Sequence, residues 1–273
     1  LIEKITFRNF NFTGNGGAMN WTGNNGTLRN CNFIHNSAGV CGGGVCWFGH
    51  DGTIMDSTFS GNTANQHGGG IFWSGANGIL SGSCFDKNSV TMYHGGGVYW
   101  LGANGTITEC NFTNNIAKTN EGGGIFWWGA NGLLTNSIFT NNLAKTFGGA
   151  IFYGSINATI IDSKFINNNA TQNGGAIRWQ GDNGILSGST FISNNANRGG
   201  AIDWTKVGHM IDCNFINSRS EKLNGIYADK DLNINGGSGI VYIFVNTTLS
   251  GISLVVLNNE TYYYPPNSNI NLT

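Results

Sequence analysis

The sequence predicts an all-β fold, a parallel β-solenoid of about nine or ten coils. Three observations predict it. A short phrase recurs every 25 to 27 residues along most of the 273-residue chain. Glycine and asparagine dominate, with 44 and 42 copies, whereas proline appears only twice. Charged residues make up 10% and aromatics 12%, too few charges and too many rings for a disordered chain.

The recurring phrase is Gly-Gly-(Ala/Gly)-aliphatic-x-Trp, found at Gly16–Trp21, Gly42–Trp47, Gly68–Trp73, Gly95–Trp100, Gly122–Trp127, Gly148–Tyr153, Gly174–Trp179 and Gly199–Trp204. A second phrase, Phe-x-x-Asn, starts at Phe33, Phe59, Phe85, Phe112, Phe139, Phe165 and Phe191. Phe12 reads as an earlier copy and Phe215 as a degenerate one. Helical repeats of this length need long apolar faces, and Gly-Gly in every unit would cost each helix roughly 2 kcal/mol. One coil is therefore expected to hold about three short strands. They are the Gly-Gly-Ala-Ile-x-Trp segment, the run after the Asn-Gly turn (Thr53-Ile54, Ile79-Leu80, Thr106-Ile107) and the segment around Phe. Turns are expected at pairs such as Asn77-Gly78 and Asn104-Gly105, with glycine supplying positive φ.

Stacked coils turn equivalent residues into ladders about 4.8 Å per step. The aliphatic column Met19, Val45, Ile71, Val98, Ile125, Ile151, Ile177 and Ile202 should point inward, as should the Phe column. The Trp column should also point inward by parity, or face solvent as a platform if a bend follows the aliphatic residue. The asparagines Asn15, Asn36, Asn62, Asn88, Asn115, Asn142, Asn168 and Asn194 should pass hydrogen bonds from rung to rung. Cys31, Cys110 and Cys213 share a small inward column with Ser57, Ser83, Ser137, Ser163 and Ser189.

Gly-Gly-Ala-Ile paired with Phe-x-x-Asn resembles the repeats of chlamydial polymorphic outer-membrane proteins. The fuller form, with Trp and Asn-Gly-Thr-Ile, is similar to adhesin-like surface proteins of methanogenic archaea. The resemblance spans roughly residues 5–218. It implies a right-handed parallel β-helix displayed outside the cell in an adhesive role, and it transfers no catalytic residue. The repeat domain is accordingly placed at 1–218. Residues 219–273 read as a degenerate last coil and a β-hairpin cap (Leu254–Leu257 with Thr261–Tyr264), or as the start of a following β-sandwich.

Other classes are excluded or weakened by composition. A net charge of -1 argues against nucleic-acid binding. No apolar run approaches the ~20 residues of a membrane span, so no membrane insertion is expected of this segment. Leu1 opens straight into a strand-like run without a start Met or signal peptide, so the chain reads as a processed piece of something longer. Ten Asn-x-Ser/Thr sequons are compatible with a secreted surface.

The residue before each Trp should face outward: Asn20, Cys46, Phe72, Tyr99, Phe126, Phe152, Arg178, Asp203. With the column after Trp, this places Phe48, Phe72, Tyr99, Leu101, Phe126, Trp128 and Phe152 on one exposed lateral face. Such a patch marks an interface for a protein or a cell-surface glycan. Two further readings compete. The open edge of the first coil and the C-terminal hairpin suggest homotypic assembly into a filament, sheath or surface layer. Asp56, Glu109, Asp162 and Asp212 sit three residues before Phe on alternate coils, about 9.6 Å apart, near an inverting carboxylate spacing for a polysaccharide lyase or hydrolase. Alternation also avoids stacking like charges, and no Lys or Arg joins that column, so a non-enzymatic module without a cofactor is favoured. The column preceding Gly-Gly (Cys41, His67, His94, Glu121, then Phe147, Asn173, Arg198) holds metal-capable side chains but is expected to be solvated loop. The six cysteines are expected to be free, with Cys41 and Cys46 too far apart along one strand and Cys46 the most exposed.

Overall fold

The computed structural model describes residues 1–220, 225–230, 232–235, 238–239 and 243–245. Every strand pair in it is parallel, and successive coils stack in register into a β-helix of about nine turns. Each coil contributes one strand to each of four sheets, except the last described coil, which contributes to three. The coil from residue 53 to 73 is representative. Thr53–Met55 belongs to a turn sheet, Thr58–Ser60 to a Phe sheet, Thr63–Ala64 to a short sheet and Ile71–Trp73 to a Trp sheet. Three strands per coil were expected. The missed one holds only two residues, too few to show an alternation.

The four strands require four corners, and each corner is a column of left-handed residues. One runs through Asn25, Asp51, Asn77, Asn104, Asn131, Asn157 and Asn183, with φ near 57°. A second runs through Asn30, Asp56, Gly82, Glu109, Asn136, Asp162, Gly188 and Asp212, and a third through His35, Gly61, Lys87 and Asn114. The fourth is the first glycine of each Gly-Gly pair, such as Gly68 at 63°. Asn, Asp and Gly tolerate this region best, which accounts for much of the composition.

In Asn-Gly, then, it is the asparagine that takes positive φ. The glycine is needed for space: a Cβ at Gly78 would lie 2.5 Å from the indole of Trp73. The exposed corner asparagines also pair, as where Asn104 Nδ2 donates to Asn77 Oδ1 at 3.0 Å.

The interior follows the expected columns. Phe59 stacks on Phe33 and Phe85 at 4.8 Å, and Trp73 lies between Trp47 and Trp100 at 5.0 and 4.6 Å. Ile71 pairs with Val45 and Val98. Asn62 Nδ2 donates to Asn88 Oδ1 (3.0 Å) and to the Phe33 carbonyl (2.8 Å). Its own oxygen accepts from the Asn36 backbone N–H and amide. All four amide valences are used, which suits a fully buried asparagine.

The first coil enters differently from expectation. Phe7, not Phe12, pairs with Phe33, while Phe12 pairs with Ala38 and is exposed. Asn15 therefore stands outside the asparagine ladder, and Phe10 N–H caps that ladder by donating to Asn36 Oδ1. At the other end, parallel pairing runs past residue 218. Ile226–Ala228 pairs with Ile202–Trp204 and with Ile243–Val245. The hairpin expected at 254–264 lies outside the described residues.

Candidate functional site

The Trp sheet differs from the others in its burial. Turn and Phe strands alternate, with one face buried and one wet, but Val45–Trp47, Ile71–Trp73, Ile125–Trp127 and Ile151–Tyr153 are buried throughout. A strand buried on both faces must be covered from outside. The cover is the column that precedes Gly-Gly. Cys41, His67 and His94 pair in register across three coils, as do Phe147 and Asn173. This column is packed against the sheet, not left as solvated loop.

The outward ladder beneath it is a continuous ring stack. Phe72, Tyr99, Phe126 and Phe152 follow one another at 5.4, 4.9 and 4.9 Å, with planes within 7°. His67 packs on Tyr99 at 4.5 Å and His94 on Phe126 at 4.4 Å. Phe72, Phe126 and Phe152 consequently keep only 9%, 4% and 3% of their surface exposed, which corrects the expectation of an open aromatic face. Phe48, Tyr99 and Leu101 are half-buried, and Phe48 tilts onto Phe72 at 5.8 Å.

Trp128 is the exception, at 49% exposed. Its indole lies parallel to Phe126 and Phe152, at 5.7 and 6.3 Å. Gly154, the equivalent residue one coil on, makes this possible, because a Cβ there would collide with the indole. Beside Trp128 opens a hollow of about 420 Å³. Tyr99, Leu101, Phe126, Trp128 and Phe152 form its apolar wall, and His94, Glu121 and Gln180 bring polar groups to it. The His94 imidazole nitrogen Nδ1 lies 3.0 Å from a Glu121 carboxylate oxygen. Burial, then the Glu121 charge, pushes the Tyr99 hydroxyl above its ordinary range. Burial and the neighbouring His94 lower the His67 imidazole to about 4, so it is neutral at pH 7. Among the described residues no group of three or more His, Cys, Asp or Glu is arranged to hold a metal ion.

Toward the C-terminal end the same ladder turns polar. Arg178 Nη1 lies 2.6 Å from Oδ1 of the buried Asp203, and Arg198 Nε donates to Oδ2 at 2.8 Å. Arg178 also caps Phe147, at 5.4 Å from the ring centre.

Two cysteine expectations are overturned. Cys46 is fully buried, whereas Cys84 is the exposed thiol. Cys41 and Cys46 are not held apart: the reversal at Gly42 (φ 66°) brings their sulfurs to 3.0 Å. Sequence parity put Phe72 and Phe126 outside correctly, but it missed Glu121, Gln180 and Gly154 as parts of one site. Gly154 and Gln180 share one offset from Gly-Gly and Glu121 holds another, and these columns were the available signal.

The acidic column is explained by its corner. Asp56, Glu109, Asp162 and Asp212 share this left-handed corner with Asn30, Gly82, Asn136 and Gly188, at φ between 48° and 58°. They lie outside the hollow.

The fold and this covered face define a repeat-built β-helix with a lateral hollow beside Trp128. Two stretches, residues 56–72 and 136–153, match the Chlamydia polymorphic membrane protein (Chlamydia_PMP) repeat. Each runs from the same left-handed corner (Asp56 or Asn136), through Phe and the ladder Asn, into the Trp-sheet strand. The chain thus carries repeats of that type, on a parallel β-helix as the resemblance implied. No curated protein matches the chain.

Proposed function

We propose that this chain is a non-enzymatic, adhesin-like module displayed at the cell surface, binding a protein or glycan partner through the hollow beside Trp128. The repeat type supports the surface setting. The observation that carries the binding reading is Trp128 itself, half exposed on Gly154 above an otherwise covered ring stack. A large ring held flat at the rim of an apolar hollow offers area at low entropic cost, to a sugar ring or an apolar side chain alike. Glu121 and Gln180 add polar groups that orient such a partner.

The test is binding of the labelled chain to host-type cells and to a glycan array, with wild type, Trp128→Ser and Trp128→Phe compared. Saturable wild-type binding weakened at least about tenfold by Trp128→Ser and kept by Trp128→Phe is expected, as for an interface hot spot. Unchanged binding by Trp128→Ser would overturn the assignment. Phe126→Ser is the wrong probe, since it removes a buried stacking ring.

A further inference from the structure

We propose that Cys41 and Cys46 are a modification site: they close an intramolecular disulfide across Gly42-Gly43-Gly44-Val45 by exchange with a small-molecule disulfide. Three features carry this. The sulfurs are 3.0 Å apart, with Cys46 projecting outward from Val45–Trp47 and Cys41 folded over it by the Gly42 reversal. Both side chains are held in place. Cys41 is fixed by its bridge to His67 and by its contact with Asn15 Oδ1 at 3.3 Å, and Cys46 by the ladder between Asn20 and Phe72. The other four cysteines have no such partner. Cys31, Cys110 and Cys213 sit on separate coils, each with its thiol on a carbonyl two residues back. Cys84 lies on the outer side of the Phe sheet.

The chemistry also favours the pair. Cys41 keeps 5% of its surface exposed and Cys46 none, so Cys41 is the thiol that meets the reagent, and the contact with Cys46 holds it below the usual thiol range. Burial lifts Cys110 and Cys213 to about 12 and about 11, and each lies on its own coil with its thiol on a carbonyl. The Cys41 thiolate attacks one sulfur of a disulfide such as cystine, forming a mixed disulfide and releasing one thiolate, which takes up the proton Cys41 lost. Cys46 then gives up its proton and attacks the Cys41 sulfur, releasing the second thiol. Two protein thiols are oxidised and one small disulfide is reduced to two thiols. The product bonds the covering column to the strand beneath it, at the edge of the aromatic stack.

The experiment treats fully reduced chain with cystine, unfolds it and counts thiols, then maps the peptides without reductant. Six thiols should fall to four, with one linked peptide containing Cys41 and Cys46 and a mass loss of about 2 Da. Cys84→Ser should still lose two, and Cys46→Ser should form no internal link. Six remaining thiols, a link through any other cysteine, or only a cystine adduct at Cys41 would each overturn the proposal.

Discussion

Tyr153 and Ala158 replace Trp and Gly together. In the coils carrying Trp73, Trp100, Trp127 and Trp179, the residue five positions on is Gly78, Gly105, Gly132 or Gly184, and a Cβ there would strike the indole. Where the ring shrinks to Tyr153, the partner becomes Ala158, and both are buried. The Tyr153 hydroxyl fills the remaining gap, accepting from Gly132 N–H at 3.1 Å and donating to the Gly129 carbonyl at 3.3 Å.

This coupling predicts a non-additive pair. Tyr153→Trp alone should cost about 1–3 kcal/mol by overpacking, and Ala158→Gly should remove most of that cost. Gly78→Ala should carry a similar penalty. Urea unfolding of the four-member cycle measures it, and simple additivity would show the two positions to be independent.

The asparagine ladder predicts a large loss from a small deletion. Asn115→Ala removes the acceptor of the Asn88 backbone N–H and amide, and the donor to the Phe85 carbonyl. Each buried orphan costs roughly 1–3 kcal/mol, so the variant should lose at least about 3 kcal/mol. A shift below about 1 kcal/mol in urea unfolding would mean that water repairs the gap.

The covering column predicts acid sensitivity. Burial and His94 hold His67 at about 4 in the fold, against about 6.5 when unfolded. The unfolded chain therefore binds the extra proton first. Stability is intact above pH 6.5 and is lost as pH falls from there toward 4. His67→Gln should flatten that slope in melting temperatures recorded from pH 7 to pH 4. An unaltered slope would assign it to other groups.

The acidic corners predict tolerance by conformation, not by charge. Glu109, at φ 55°, should accept Asn with unchanged or slightly higher stability, whereas Glu109→Val should cost about 1–2 kcal/mol. Thermal unfolding of the two variants decides it. A catalytic carboxylate would behave oppositely, with Glu109→Asn abolishing polysaccharide cleavage.

Much of this molecule was legible from period and parity. Ile71, Phe59, Trp73, Asn62 and Ser57 take the inward places their spacing assigned, because residues one period apart stack and alternate residues share a face. Phe12, with Asn15 three residues on, fits the Phe-x-x-Asn phrase, but Phe7 holds the ladder place, because the first coil lacks a preceding copy to set its register. The short strand Thr63–Ala64 has no alternation to display, and Glu109 was read by its charge although it stands at a left-handed corner shared with Asn and Gly.

Repetition along the chain set the coil, its inward ladders and the direction in which Phe72, Tyr99, Phe126 and Phe152 project. Those follow from local repetition, which every coil states again. Only the tertiary structure decided what lies over them. His67, His94 and Glu121 fold back across the Trp sheet, Gly154 lets Trp128 lie open, and Gly42 brings Cys41 onto Cys46. Parity along a strand sets which way a side chain points. The chain path at the corners and the next coil's side chains determine whether water reaches it.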